Sequence, residues 1–375
     1  MDRSPAAPER VQTFAVMLNI NAKGVNKKVR QSILKLVPEE DLFISGSREE
    51  AEAHAATIIK RRYDGVFSGG GDGSLVMLIN TLWKIVVTLN NEQAAETSRN
   101  RKKSREQPLP YSFPKLGILK MGTGNGWAGV VGSQRGLEQL EHTLSGGELK
   151  FRPFDLIEVE GRKAHFSGIG WDALVLNDYI EMKKLGTSFP FLKPYLTSVA
   201  GYFTTAFVRS IPKDLAQRVL PTGRVKVNVF NNGPRVFRIE EGGRPVPVRF
   251  GRGDMIFHGS MNFLGVATTA NYGFGLKIFP YAMTMPGMMH LRIMQADLPE
   301  IFANLGSIWD GTYRSPTFHD FLVSDIEIQA SHPTPFQIGG DAEGLREVVR
   351  FRISSESVEV LDFLHLNKLP FIPFS

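Results

Sequence analysis

The segment FSGGGDGS, residues 67–74, decides the fold of this chain. An apolar run from Gly65 to Ser68 leads into it with strand character, and a helical pattern from Ser74 to Leu89 leads out. A glycine turn between strand and helix lets the backbone approach a ligand closely. The helix beyond it offers unpaired N–H groups and the positive end of its dipole, so the turn suits a phosphate. The plain use of such a turn is a helix cap, but one Asp or Ser suffices for that and a triple glycine is not required. Asp72 inside the turn needs a task, because a carboxylate beside phosphate is repelled unless it holds a metal or takes a proton from an attacking hydroxyl.

Working outward, the pattern predicts a strand from Thr13 to Asn19, a helix from about Asn26 to Val37 and a short strand from Asp41 to Ser45. A helix from about Arg48 to Arg62 follows, with SREE as a capping box headed by Ser47. Downstream lie a strand from Lys115 to Lys120 and a second glycine turn, MGTGNGWAG, residues 121–129. Short apolar strands alternating with helices predict a doubly wound α/β domain over residues 11–150. Gly124, Gly126 and Gly129 have GxGxxG spacing, but the motif sits at a late turn and the downstream acid, Glu148, precedes a strand. A dinucleotide hydride enzyme is therefore disfavoured. After Phe151 the texture becomes strand-like runs separated by Gly, Pro and Asn, with NNG and EGG turn signals. They predict an antiparallel, β-sandwich-like C-terminal domain over residues 151–364, with a helical insert from Asp178 to Arg209 and a last segment free to return to the first domain. The polar stretch from Asn90 to Pro110, which contains RNRKKSR at residues 99–105, is expected to be a long connection.

Composition sets the outer bounds. With 375 residues, 42% hydrophobic and 22% charged, the chain is long enough for two packed domains and is neither collagen-like nor a disordered tail. Zero cysteines exclude disulfides, thiolate metal sites and cysteine nucleophiles and suit a reducing cytoplasm. The eight histidines form no HxxxH or HExxH pair, no GxSxG elbow is present, and His165, His258 and His290 are expected in or beside strands. A net charge of +6 suits a polyanionic ligand or an anionic membrane.

Taken in order, with a strand between them, the two glycine turns resemble the diacylglycerol kinase catalytic family, which includes sphingosine, ceramide and bacterial lipid kinases. Its pattern of NP-x-SG, GGDGT, P-x-GTGND and a late DGE is matched by Asn19 in LNINAKG, GGDGS (residues 70–74), GTGN (residues 122–125) and DAE (residues 341–343). GIGWDA, residues 168–173, is a weaker match. The resemblance runs from Phe14 to about Leu361. It implies that Gly69, Gly70, Gly71, Gly73 and Ser74 hold ATP phosphates and that Asp72 acts on the acceptor hydroxyl. Gly122, Thr123, Gly124 and Asn125 would line the nucleotide, with Asn19 nearby. Glu343, supported by Asp341, would reach the metal or the acceptor, with ATP and Mg2+ as cofactors and the site in a cleft between the domains. Asp172 and Asp178 match only loosely the acids that read a sphingoid head group, so diacylglycerol, sphingoid base and ceramide all stay open as substrates.

Departures from the pattern are Ile20 and Lys120 for prolines, Ala342 for a glycine, and Gly126 where diacylglycerol kinases carry Asp. Gly126, Lys120 and Ala342 leave a catalytically weakened lipid-binding or regulatory protein as one alternative, and the shared GGDG turn leaves an NAD kinase-like enzyme as another. No stretch reads as a transmembrane span or a signal peptide. The expected partner is a lipid at an anionic membrane surface, met by a peripherally associated cytoplasmic protein. Nucleic acid is not expected, and a homodimer is left open. The five basic residues of RNRKKSR, each contributing on the order of 1 kcal/mol near anionic lipid, are a candidate docking segment. The insert FPFLKPYLTSVAGYFTTAF, residues 189–207, is a candidate acyl-pocket wall in a chain with 26 Phe.

Overall fold

The structure, a computed structural model, describes residues 12–99, 109–122, 125–171, 173–174, 224–272 and 275–366. Thr123, Gly124, Asp172, Asp178, the aromatic insert and the basic segment beyond Arg99 lie outside the described residues. The chain divides into two compact units. One comprises residues 1–122, 131–152 and 359–375, the other residues 123–130 and 153–358.

The first unit is an α/β fold. Strands β1 (Phe14–Asn19), β2 (Leu42–Ser45), β3 (Gly65–Gly70) and β4 (Lys115–Lys120) are joined through helices α1 (Lys27–Leu36), α2 (Arg48–Lys60) and α3 (Asp72–Arg99). Helix α5 (Gly136–Leu144) follows, then β5 (Phe151–Phe154); the short helix α4 (Gly126–Val130), which precedes α5 in the chain, belongs to the second unit. The sheet order is β2-β1-β3-β4, extended by the C-terminal strand β18 (Val358–Leu361) and by β5. The pairs β1–β2, β1–β3, β3–β4 and β4–β18 are parallel. Fully buried strands explain the apolar texture of β1 and β3, whose residues Val16, Leu18 and Phe67 join Ile33, Leu119 and Leu140 in one core.

Local chemistry sets the helix ends. The Asn26 carboxamide caps α1 by accepting from Val29 N at 3.0 Å. Ser47 caps α2 by accepting from Glu50 N at 3.1 Å, while the Glu50 carboxylate accepts from Gly46 N at 2.6 Å. The predicted capping box is therefore present, displaced by one residue at its return bond. Helix α3 departs from expectation. It runs on to Arg99, so the first ten residues of the polar stretch are helix and not connection. Its apolar residues Leu75, Val76, Leu78, Ile79, Leu82 and Val86 are buried, and beyond them the exposed turns carry the polar residues. By length and composition α3 could cross a membrane, but this run of buried residues makes it a core element of its unit.

The second unit is β-rich and antiparallel. Its strands are β6 (Ile157–Val159), β7 (Arg162–Ala164), β8 (Phe166–Gly170), β9 (Lys226–Asn231), β10 (Val236–Ile239) and β11 (Pro245–Val248). After them come β12 (Met255–Ser260), β13 (Phe263–Ala267), β14 (Met289–Met294), β15 (Phe318–Val323), β16 (Asp325–Ile338) and β17 (Asp341–Ile353). All twelve belong to one hydrogen-bonded sheet, with the path β11-β10-β15-β14-β13-β8-β16-β17-β6-β7 and with β9 and β12 branching from β16. Gly170 has a φ of 106°, and a Cβ there would sit 2.4 Å from the Asn262 carbonyl oxygen. Only glycine fits at the end of the GIGWDA strand. Between β14 and β15 a buried ion cluster closes the core: Arg292 holds Asp320 through bonds of 2.7 and 2.9 Å, and His290 Nε2 lies 2.9 Å from the same carboxylate.

Candidate functional site

In the first unit the predicted phosphate residues gather at the carboxyl edge of the sheet. Parallel register places Gly69 beside Leu18, so Asn19 stands level with Gly70, and Gly70 in turn pairs with Lys120. The chain leaves β1 toward β2 on one side and returns to β3 on the other, so the β1/β3 boundary is the switch point of the sheet, the place where such folds bind ligands. Asn19 Nδ2 donates to Ser74 Oγ at 3.0 Å, and Asn19 Oδ1 accepts from Asn21 N at 3.0 Å. One side chain thus ties the end of β1 to the first turn of α3. Asp72 opens that helix and is half-buried.

Gly69 and Gly70 of this turn serve space and not backbone freedom. None of Gly69, Gly70, Gly71 or Gly73 adopts the left-handed conformation. A Cβ on Gly69 would meet Leu18 Cδ2 at 2.3 Å, and one on Gly70 would meet Ser74 Oγ at 2.6 Å. Met121 then joins three turns: its N–H donates to Gly70 O at 3.2 Å, and its carbonyl accepts from Gly24 N at 2.8 Å. Gly24 lies so close to Met121 that a Cβ would fall 2.9 Å from its Cα. A cavity of about 10 Å³ bordered by Asn19, Ser45, Gly69, Ser74 and Met77 has room for a single water.

The second glycine turn begins at Gly122, in the first unit, and continues in residues 123–130, which belong to the second. Asn125 holds a left-handed φ of 49° at the entry to α4. Within the second unit that short helix is fixed by Trp127, 1% exposed, whose ring lies 5.1 Å from Phe154 and edge-on to His165 at 5.2 Å. His165 is buried with neither ring nitrogen hydrogen-bonded, and burial pushes its pKa down to about 3, so it packs as a neutral aromatic. Gly126 is pressed against Asn271: a Cβ would meet the Asn271 carbonyl oxygen at 3.1 Å, and Asn271 Nδ2 donates to Gly126 O at 3.3 Å. The glycine that replaces the family's Asp is thus matched by a close backbone neighbour.

Asp341 and Glu343 lie together at the start of β17, just after a two-residue turn in which Gly339 and Gly340 both have positive φ. Gln337, buried before that turn, accepts from Gly340 N at 2.9 Å and donates to Tyr272 OH at 3.2 Å. The acids face a second hairpin of the same type, β6–β7, with positive φ at Glu160 and Gly161. From it Arg162 reaches both acids, bonding Glu343 through Nη1 and approaching Asp341 at 3.6 Å through Nη2. Arg346 returns the favour, holding Glu160 with bonds of 2.5 and 2.9 Å and donating to the Glu343 carbonyl at 2.9 Å. Desolvation pushes the Asp341 carboxyl above its ordinary range, Arg162 opposes, and Glu343 adds to the rise. With 60% of the Asp341 side chain exposed, water weakens that push. Arg162 and Arg346 were not found from sequence. The EG turn signal was present, but no local pattern ties it to acids some 180 residues away.

Comparison with known proteins gives these two glycine turns a family. The model of the diacylglycerol kinase catalytic domain matches residues 15–159, which contain both turns. Over those residues this chain resembles a diacylglycerol kinase catalytic domain. Over 346 residues, 88% of this chain and 91% of the other, it is 23% identical to a Klebsiella pneumoniae (strain 342) protein named "Probable lipid kinase YegS-like". The crystal structure of a diacylglycerol kinase from Bacillus anthracis str. Sterne superposes with a TM-score of 0.56 at 13% identity, covering 94% of this chain and 97% of that one. That likeness confirms the fold, an N-terminal α/β domain followed by a sheet-rich C-terminal domain.

Proposed function

We propose that this kinase is an ATP-dependent lipid kinase, which transfers the γ-phosphoryl group to the hydroxyl of a membrane lipid such as a diacylglycerol, a sphingoid base or a ceramide. The observation that carries the reading is the carboxyl edge of the first unit. Crowded glycines, the first turn of α3 and the Asn19–Ser74 bond make a phosphate ledge there, with a carboxylate, Asp72, placed at it. The acceptor oxygen attacks the γ-phosphorus, its proton passes to Asp72, and the bond to the β–γ bridging oxygen breaks to release ADP. In the other unit, Asp341 and Glu343 form a pair of carboxylates oriented by Arg162.

Mg2+ is taken up by one or two carboxylates, phosphate oxygens and water. Among the described residues no group of three or more His, Asp and Glu is spaced for a metal, and an ion would reach the ledge with the nucleotide phosphates. Bound there, it would neutralise charge on the transferring group. The name of the Klebsiella pneumoniae relative supports a lipid acceptor. The test is a mixed-micelle assay of a lipid panel with labelled ATP and thin-layer readout, with NAD as a further acceptor. A labelled phospholipid is expected; label on NAD alone, or on nothing, refutes the reading.

A further inference from the structure

The β10–β11 hairpin and the loop after it, residues 235–252, carry five arginines against two glutamates. All five, Arg235, Arg238, Arg244, Arg249 and Arg252, are exposed. Arg244 approaches Glu240 at 3.6 Å; among the described residues the other four have no ion-pair partner. Val236 pairs with Val248, which sets Arg235 and Arg249 just outside that pair on opposite strands. Like charges placed across an antiparallel pair destabilise it. Buried Asn231 draws Arg252 to the same end, since its Nδ2 donates to Gly233 O at 2.9 Å and to Gly251 O at 3.0 Å. Three residues on from Arg252, past exposed Asp254, whose carboxylate accepts from Gly251 N at 2.7 Å, Met255 is 45% exposed.

Strand β11 is one edge of this sheet, whose path ends at β7 on the other side. Edges commonly recruit a further strand, but Pro245 and Pro247 block that here. Their partners are Ile239 and Phe237, and the Glu240 N to Arg244 O bond fixes the alternate pairs as the hydrogen-bonded ones. The prolines therefore occupy positions whose N–H would point outward, and they have none to offer. Apart from Glu240 and Glu241 at its tip, what the edge presents to a partner is guanidinium and a little apolar surface.

We infer that the base of this hairpin, Arg235, Arg249 and Arg252 with Met255 beside them, is a docking surface for an anionic phospholipid bilayer. The inference rests on the lipid-kinase reading for its biological sense, since an enzyme whose acceptor stays in the bilayer must meet that surface. Its physical basis, unpaired cations on an edge closed to strand addition, is independent of turnover. Each arginine near an anionic surface contributes about 5-fold in partitioning, so loss of all three predicts about a 100-fold drop.

The test is sedimentation of the full chain with phosphatidylglycerol–phosphatidylcholine vesicles and with phosphatidylcholine vesicles alone, beside activity in detergent micelles. Arg235→Gln/Arg249→Gln/Arg252→Gln is expected to lose about 100-fold in binding to anionic vesicles while keeping its thermal melt and micellar activity. The triple Arg→Lys variant keeps binding, which guards against misfolding as the cause. If the Gln variant binds as the wild type does, or if the wild type ignores anionic vesicles and binds duplex DNA instead, the inference falls. Absence of lipid phosphorylation alongside charge-dependent vesicle binding would overturn the substrate reading and leave this surface standing.

Discussion

Replacing Arg162 with Ala tests whether the two late acids work as an oriented pair. In the structure one guanidinium spans Glu343 and Asp341, with side-chain exposures of 36% for Arg162 and 26% for Glu343. At that exposure the pair stabilises the fold by only about 1 kcal/mol, so the melting temperature of a unit this size should fall by about 2–4 °C. The effect on turnover should be larger. Released from Arg162, the Glu343 carboxylate can swing by an ångström or more, and a misplacement of that size lowers kcat by up to about 100-fold. The pH profile supplies a second readout with a definite sign. Arg162 opposes the upward push on Asp341, so its removal lets that carboxyl rise further and moves the acid limb of the rate to higher pH. Arg162→Lys keeps a charge but not a fork, and should fall between the two. Steady-state transfer to a lipid in mixed micelles, measured across pH beside a thermal melt, decides. A folded Arg162→Ala enzyme with wild-type kcat and an unmoved acid limb refutes the positioning role.

Gly126→Asp, which restores the family's residue, should lower stability by about 1–3 kcal/mol and reduce activity, because its Cβ meets the Asn271 carbonyl at 3.1 Å; chemical denaturation with a parallel kinase assay checks both. Asp320→Asn leaves Arg292, 1% exposed, without its counter-charge and should cost about 3–5 kcal/mol in urea unfolding. His165 is held neutral in the fold with a pKa of about 3 against 6.5 when unfolded, so its contribution is intact above pH 6.5 and is lost as pH falls toward 3. Across that window the wild type should lose about 1.4 kcal/mol per pH unit more than His165→Leu, as read from stability curves for the two proteins.

The α/β frame was legible because β1, β3 and β4 are short apolar runs, each followed by a turn with its own chemistry, and because Ser47 and Asn26 announce their helices locally. The phosphate ledge was legible for the same reason: FSGGGDGS and MGTGNGWAG are contiguous in sequence. The continuation of α3 to Arg99 was not, because Asn90 to Arg99 carries no apolar face and looks like a connection. Arg162 was hidden differently. It acts on residues brought near only by the pairing of β6 with β17, and long-range register leaves no mark on a local pattern. Gly126 was noticed as a departure, but its neighbour Asn271 is likewise a tertiary fact.

The central claim is that Asp72, at the ledge, takes the proton of the acceptor hydroxyl. The most direct measurement compares wild type and Asp72→Ala for binding of a non-hydrolysable ATP analogue and for single-turnover transfer of labelled phosphate to lipid. Nucleotide affinity should hold or improve, since a carboxylate near phosphate repels it, while transfer falls by about 10²–10⁴-fold. Undiminished transfer by the folded Asp72→Ala protein would contradict the account.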